Sequence, residues 1–131
     1  MTEPSAADLV ARARTLQQLL REHAAKSDAD RRVAAESLDA LSEAGLFKVS
    51  VPRRYGGYET TVRTMLDVSA AVAEGDGSAG WVLMITNVCH WLAALFPARA
   101  QDEVFADPQV RVTGVLTPSA ARPGWACPRR T

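Results

Sequence analysis

The uncharged stretch from Gly80 to Phe96 holds the side chains in this sequence that are best suited to chemistry. It contains Asn87 and His90, and an imidazole with an ordinary pKa of about 6.5 suits a general base. Trp81 and Trp91 flank them, so the four side chains would form a substrate pocket if they faced one space. Burial with hydrogen bonds to neighbouring backbone is the simpler interpretation of each polar residue, and both interpretations stay open. With no second histidine or acid at ligand spacing, the stretch predicts no metal site.

Residues 75–80 read GDGSAG and match the glycine spacing of a dinucleotide-binding loop. Such a loop needs a strand before it and a helix after it. The preceding residues repeat apolar side chains at helical spacing, and Glu74 and Asp76 would place negative charge where a pyrophosphate binds. The sequence therefore predicts a turn between two helices, with Gly75 ending the first and Asp76 or Ser78 capping the second.

Composition limits which kinds of partner the protein can bind and in which compartment it works. The 131 residues suffice for one domain, and 15 basic residues balance 15 acidic ones, so no net field attracts nucleic acid or an anionic membrane. The N-terminus lacks the apolar stretch of a signal peptide, and the uncharged segment is short and polar for a spanning helix. Cys89 and Cys127 have no framework spacing. We expect a cytoplasmic protein without nucleic-acid or membrane partners.

Helical periodicity predicts the elements that position these residues. Ser5 begins the first helix, Ser27 or Asp28 the second, and Thr60 or Thr61 caps the third. The segment GLFKVSVP is short and β-prone. The order describes an all-α domain with the start of a strand at its C-terminal end. The five helices are expected at about 5–23, 27–45, 60–74, 78–95 and 97–105, and the strand at 109–117.

Two motifs, in order, resemble the N-terminal helical domain of the acyl-CoA dehydrogenase superfamily. GLFKVSVPRRYGGYE, from Gly45 to Glu59, resembles the segment G-L-x-x-x-x-x-P-x-x-Y-G-G. AAVAEGDGSAGWV resembles the helix and turn that follow, with an A-x-G-D-x-S pattern. The Gly80-Trp81 pair, the His-Trp pair of the next helix and LFPARAQDEVF look more like the flavin-dependent monooxygenases of this superfamily than like its dehydrogenases.

The resemblance implies an oxygenase component that takes reduced flavin, FAD or FMN, from a separate flavin reductase. It implies hydroxylation of an aromatic or polyketide-like small molecule, with acyl-CoA dehydrogenation as the other branch, and a homotetramer. His90 would be the catalytic residue near the flavin. Leu116, Thr117 and Pro118 match part of the family's flavin segment, although its glutamate, glycine pair and Ser-Asp are missing.

The same resemblance predicts the organisation of the chain. It gives a helical N-terminal domain, the start of a β-domain and a disordered or out-of-frame tail, at residues 1–107, 108–121 and 122–131. Family members continue through a β-domain and a four-helix bundle, so we expect a truncated product that is inactive alone. The alternative is a free-standing helical interaction module without catalysis.

Overall fold

The computed structural model describes residues 3–114, which form six α-helices and two short 3₁₀ turns and contain no strand. The predicted all-α class is confirmed. The 3₁₀ turns cover Leu46–Lys48 and Arg53–Tyr55. The helices are α1 (Ala6–Thr15), α2 (Gln17–Asp30), α3 (Ala35–Glu43), α4 (Val62–Ala73), α5 (Gly77–Ala93) and α6 (Ala98–Val104).

The first two predicted helices differ from the observed ones. Ser5 caps α1 as predicted, but the first helix breaks at Leu16 and resumes as α2. The predicted start of the second helix at Ser27 or Asp28 is wrong, because α2 runs on through both residues. The Ser27 hydroxyl donates to the His23 carbonyl at 3.1 Å and accepts the Ala34 N–H at 3.0 Å. Ser27 therefore satisfies the first amide of the next helical segment from inside α2.

The core lies where α4 packs against both α5 and α1. Most of its fully buried members are large aliphatic side chains, and Ala13 and Ala79 are the small ones. The turn between α4 and α5 is the predicted helix-to-helix turn, in which the Asp76 carboxylate accepts the Ser78 N–H at 2.9 Å. A side chain at Gly80 would lie 2.6 Å from the Ala73 Cβ, so this glycine permits the close approach of the two helices. The large, fully buried aliphatic members are Leu9, Leu20, Leu41, Leu46, Val49, Val68, Val72 and Leu83.

The β-prone segment before Pro52 forms turns, because its backbone pairs with the loop that follows and not with another strand. The Lys48 carbonyl accepts the Tyr58 N–H at 2.9 Å, and the Val51 carbonyl accepts the Glu59 N–H at 3.0 Å. Gly56 closes the loop with a φ of 82°, a left-handed conformation that favours glycine. The loop, residues 45–60, is thus a compact unit laid against α5.

Residues 109–114 of the predicted strand pair with no strand in the described part of the chain. A β-strand needs a neighbour for its backbone groups, and residues 3–114 offer none. The rest of that segment and the tail lie outside the described residues, so the domain boundaries remain predictions. Within residues 3–114, no helix is long and apolar enough to cross a bilayer.

Gly57→Ala should lower the free energy of unfolding by about 1–3 kcal/mol, because its Cβ would overlap the Val51 carbonyl group. Gly77→Ala is the matched control, since nothing lies within 4 Å of the position that its Cβ would take. Urea unfolding of both variants measures the difference. Equal stability of the two variants would contradict the steric role of Gly57.

Candidate functional site

The His90 side chain is fully buried, and backbone groups contact both of its ring nitrogens. The Val112 N–H donates to Nε2 at 3.2 Å, and Nδ1 lies 3.0 Å from the Phe47 carbonyl oxygen. Since Nε2 accepts a hydrogen bond, the neutral ring carries its proton on Nδ1 and donates it to Phe47. The imidazole thereby joins the loop before Pro52 to the chain that follows α6.

Burial lowers the pKa of His90 below its ordinary value of 6.5, and the Phe47 and Val110 carbonyls oppose this shift only in part. The ring is therefore neutral at neutral pH, as a general base must be. However, the lone pair that would accept a proton already accepts the Val112 N–H. Catalysis by His90 requires Val112 to move away from Nε2.

The Asn87 side chain is buried and fully bonded to backbone. Its amide donates to the Leu46 carbonyl at 3.0 Å and to the Leu83 carbonyl at 3.2 Å. Its oxygen accepts the Ser50 N–H at 3.4 Å. Together with His90, Asn87 forms a polar seam between α5 and the loop of residues 45–60.

Trp91 lies on an open cleft of about 610 Å³ at the C-terminal end of α5. Its side chain is 41% exposed. The cleft combines an aromatic surface with hydroxyl and guanidinium groups, which suits an aromatic molecule with polar substituents. These partners were not predicted from the sequence, although the segment RRYGGYE, from Arg53 to Glu59, supplies three of them. The other lining residues are Ser50, Pro52, Arg53, Arg54, Glu59, Thr60, Ala94, Leu95 and Gln101.

Trp81 is 62% exposed and lies on a different cleft, of about 580 Å³, between α2 and the start of α5. The four predicted pocket residues therefore do not meet in one space. Asn87 and His90 face the loop of residues 45–60 together, whereas each tryptophan lines its own concavity. Ten residues of α-helix separate the tryptophans by nearly three turns, which places them at opposite ends of α5.

The described residues by themselves do not enclose a flavin. Leu116, Thr117 and Pro118 lie outside residues 3–114. A crevice between Phe47 and Phe105 measures about 20 Å³, which is room for about one water. The clefts at Trp81 and Trp91 are wide but open, whereas a ligand of flavin size is normally about 70–90% buried.

Residues 6–111 match the family described as acyl-CoA dehydrogenase, N-terminal domain. The chain is 35% identical over 103 residues to the flavin-dependent monooxygenase oxygenase subunit HsaA of Rhodococcus jostii, covering 78% of this chain and 27% of that protein. It is 30% identical over 111 residues to the oxygenase component of the FADH2-dependent resorcinol hydroxylase of Rhizobium sp., covering 84% and 27%.

A solved structure of a flavin-binding protein is also similar to this chain. The XiaF protein of Streptomyces sp., in complex with FADH2 and glycerol, superimposes with a TM-score of 0.76 at 32% identity. The match covers 81% of this chain and 27% of XiaF. The chain spans about a quarter of the length of the relatives that it matches.

Stability should fall as pH drops below 6.5 because of His90. Its folded pKa is depressed, so the unfolded chain, with a pKa of about 6.5, binds more protons in this window. The contribution of His90 is complete above pH 6.5 and is lost as pH falls through the folded pKa. Asp8 and Glu36 have lowered pKa values and act only in more acidic solution.

The measurement is the free energy of unfolding in urea at pH 7 and at pH 5, for the natural chain and for His90→Gln. Every other titrating group is common to both chains, so the difference between their pH slopes belongs to His90. The natural chain should lose more stability on acidification. Identical slopes would contradict a buried, neutral His90.

Proposed function

The chain belongs to the acyl-CoA dehydrogenase N-terminal domain family, and we propose that it supplies the helical domain of a two-component, flavin-dependent monooxygenase that hydroxylates an aromatic substrate. The observation that carries the proposal is the 35% identity to an oxygenase subunit across 103 residues, nearly the whole helical domain. The reduced flavin in the XiaF complex supports the same class. Reduced flavin would come from a separate reductase.

The cleft at Trp91 is the surface that we assign to the substrate. An exposed indole offers a flat apolar face, and an aromatic ring stacks on such a face with a gain of about 0.5–1.5 kcal/mol beyond burial. The resorcinol hydroxylase, by its name, acts on an aromatic diol, which is a molecule of this shape. Arg53 and Arg54 at the rim suit phenolic or carboxylate groups on such a ring.

We assign flavin contacts to Leu116, Thr117 and Pro118, which lie in the sequence just beyond the described residues. When bound, the reduced flavin would supply the electrons for activating oxygen. The role of residues 3–114 would be to present the wall that carries Trp91, with Asn87 and His90 buried behind it against the loop of residues 45–60. Acyl-CoA dehydrogenation is the weaker branch, because the matched relatives are monooxygenases.

A free-standing helical interaction module remains the second candidate. Its support is the set of large apolar side chains that the helices leave at the surface, since such patches mark sites of protein contact. Val62, Leu66, Trp81, Leu95 and Phe96 are all exposed by 45% or more. A helical module of this kind would fold cooperatively and bind protein without any response to flavin.

A chimaera tests the monooxygenase proposal. Residues 6–111 replace the matched part of the Rhodococcus jostii oxygenase, and product formation from the parent enzyme's own substrate is measured with supplied reduced flavin. We expect an active chimaera. Trp91→Ala in the chimaera should raise KM more than it lowers kcat, because a stacking face binds ground state and transition state alike.

Ser78→Ala, on the same helix and far from the cleft, is the control and should leave KM unchanged. A chimaera that folds and binds reduced flavin but makes no product would reject the proposal. An active chimaera whose KM does not respond to Trp91→Ala would instead reject the assignment of this cleft to the substrate.

The 131-residue chain alone should bind reduced or oxidised FAD and FMN only weakly. The reason is that its described concavities are open or water-sized. Titration of the purified chain, followed by flavin fluorescence, measures the affinity. Stoichiometric binding at micromolar concentration would show a flavin site that residues 3–114 do not contain.

A further inference from the structure

We propose that His90 is a positioning residue that ties the backbone at Phe47 to the backbone at Val112 and so sets the direction in which the chain leaves the helical domain. Leu116, Thr117 and Pro118 follow this segment in the sequence, so the link to flavin rests on the proposed function. The hydrogen bonds of the tie itself do not depend on the proposed function. The tie differs from the role of general base, because it uses both ring nitrogens for backbone and leaves none for substrate.

The His90 ring is enclosed by protein on every side. The side chain has no exposed surface, and the Phe105 ring packs against it in an edge arrangement with ring centroids 6.0 Å apart. Phe47 precedes His90 by 43 residues and Val112 follows it by 22. One side chain thus joins two segments that share no other backbone hydrogen bond among the described residues.

The segment after α6 depends on this tie. Within residues 111–114, the Val112 N–H bond to His90 is the one hydrogen bond that we observe to another described residue. The remaining contacts are less directional. The Arg111 guanidinium lies 5.2 Å from the centroid of the Phe47 ring, and Gly114 lies beside the Cys89 sulfur. Loss of the Nε2 acceptor would leave the direction of this segment unfixed.

Apolar packing alone does not explain a histidine here. A leucine would fill much of the same space, but it would leave the Phe47 carbonyl without its donor and the half-buried Val112 N–H without its acceptor. Only a side chain with a donor and an acceptor on opposite edges of a ring serves both. The neutral imidazole with its proton on Nδ1 is such a group.

Two measurements on the natural 131-residue chain test the tie without any variant. Nitrogen chemical shifts of the imidazole should show the proton on Nδ1 at neutral pH. Hydrogen exchange should show the Val112 amide protected, in contrast to its exposed neighbours Arg111 and Thr113. A proton on Nε2, or a Val112 amide that exchanges like an unstructured one, would overturn the proposal.

A matched pair of variants tests the two hydrogen bonds of the tie one at a time. In His90→Asn the side-chain amide reaches only as far as Nδ1 does, so it donates to Phe47 and leaves Val112 free. In His90→Gln the longer side chain places its oxygen near the position of Nε2, where it accepts the Val112 N–H. We expect exchange at Val112 to be about tenfold faster in the Asn variant than in the Gln variant. Equal rates in two folded variants would reject the tie.

A longer chimaera, in which residues 6–118 of this chain replace the corresponding part of the Rhodococcus jostii oxygenase, includes Val112 and Leu116 to Pro118 and tests the link to flavin. The Asn variant should weaken affinity for reduced FAD by about tenfold relative to the Gln variant, at equal melting temperature. If the exchange rates differ as expected and the flavin affinities do not, the tie stands and its role in flavin binding is rejected. A chimaera that is inactive with the natural His90 rejects the proposed function, whereas the exchange result is unaffected.

Discussion

The architecture depends on one constraint, which is that the irregular loop of residues 45–60 must satisfy its backbone polar groups although it lies against the buried helix α5. Two 3₁₀ turns leave carbonyl and amide groups without regular partners, and an orphaned buried group costs about 1–3 kcal/mol. Asn87 and His90 supply those partners at Leu46, Ser50 and Phe47. These polar side chains stand in an otherwise apolar helix because the loop beside them has no strand or helix to complete its hydrogen bonds.

This polar seam divides α5 into surfaces with different roles. The inner face packs Leu83 into the core, the seam holds the loop, and the remaining surface carries Trp81 and Trp91 at opposite ends. Because the seam is fully bonded, it fixes the rotation of α5 and with it the position of Trp91 on the cleft. A ligand that contacts Trp91 would meet a helix already held in place by these hydrogen bonds, and a preorganised surface loses little conformational entropy on binding.

The sequence predicted most features set by neighbouring residues, such as helix caps, and few features set by contacts between residues far apart in the chain. The cap at Ser5 was predicted, and the caps at Thr61 and Asp76 are each one of the two alternatives predicted, because a capping side chain bonds within three residues of itself. The break at Leu16 and the continuation of α2 beyond Ser27 were missed. The Ser27 hydroxyl that suggested a helix start accepts instead from the Ala34 N–H, seven residues away, a partner that local sequence does not reveal. The predicted strand has no described partner, and pairing is a property of two segments that neither reveals alone.

The sequence was even less informative about the candidate site. The types of Asn87 and His90 were visible in the sequence, but their partners are backbone groups, which every residue possesses and which carry no signature. A histidine in an uncharged helix therefore permits two interpretations, as a base and as a hydrogen-bonded core residue. The geometry discriminates between them through the number of free ring nitrogens, because a general base needs one and His90 has none while Val112 remains in place. For His90 to act on a substrate, the segment at Val112 must first move, so catalysis and the exit of the chain from the helical domain compete for the same nitrogen.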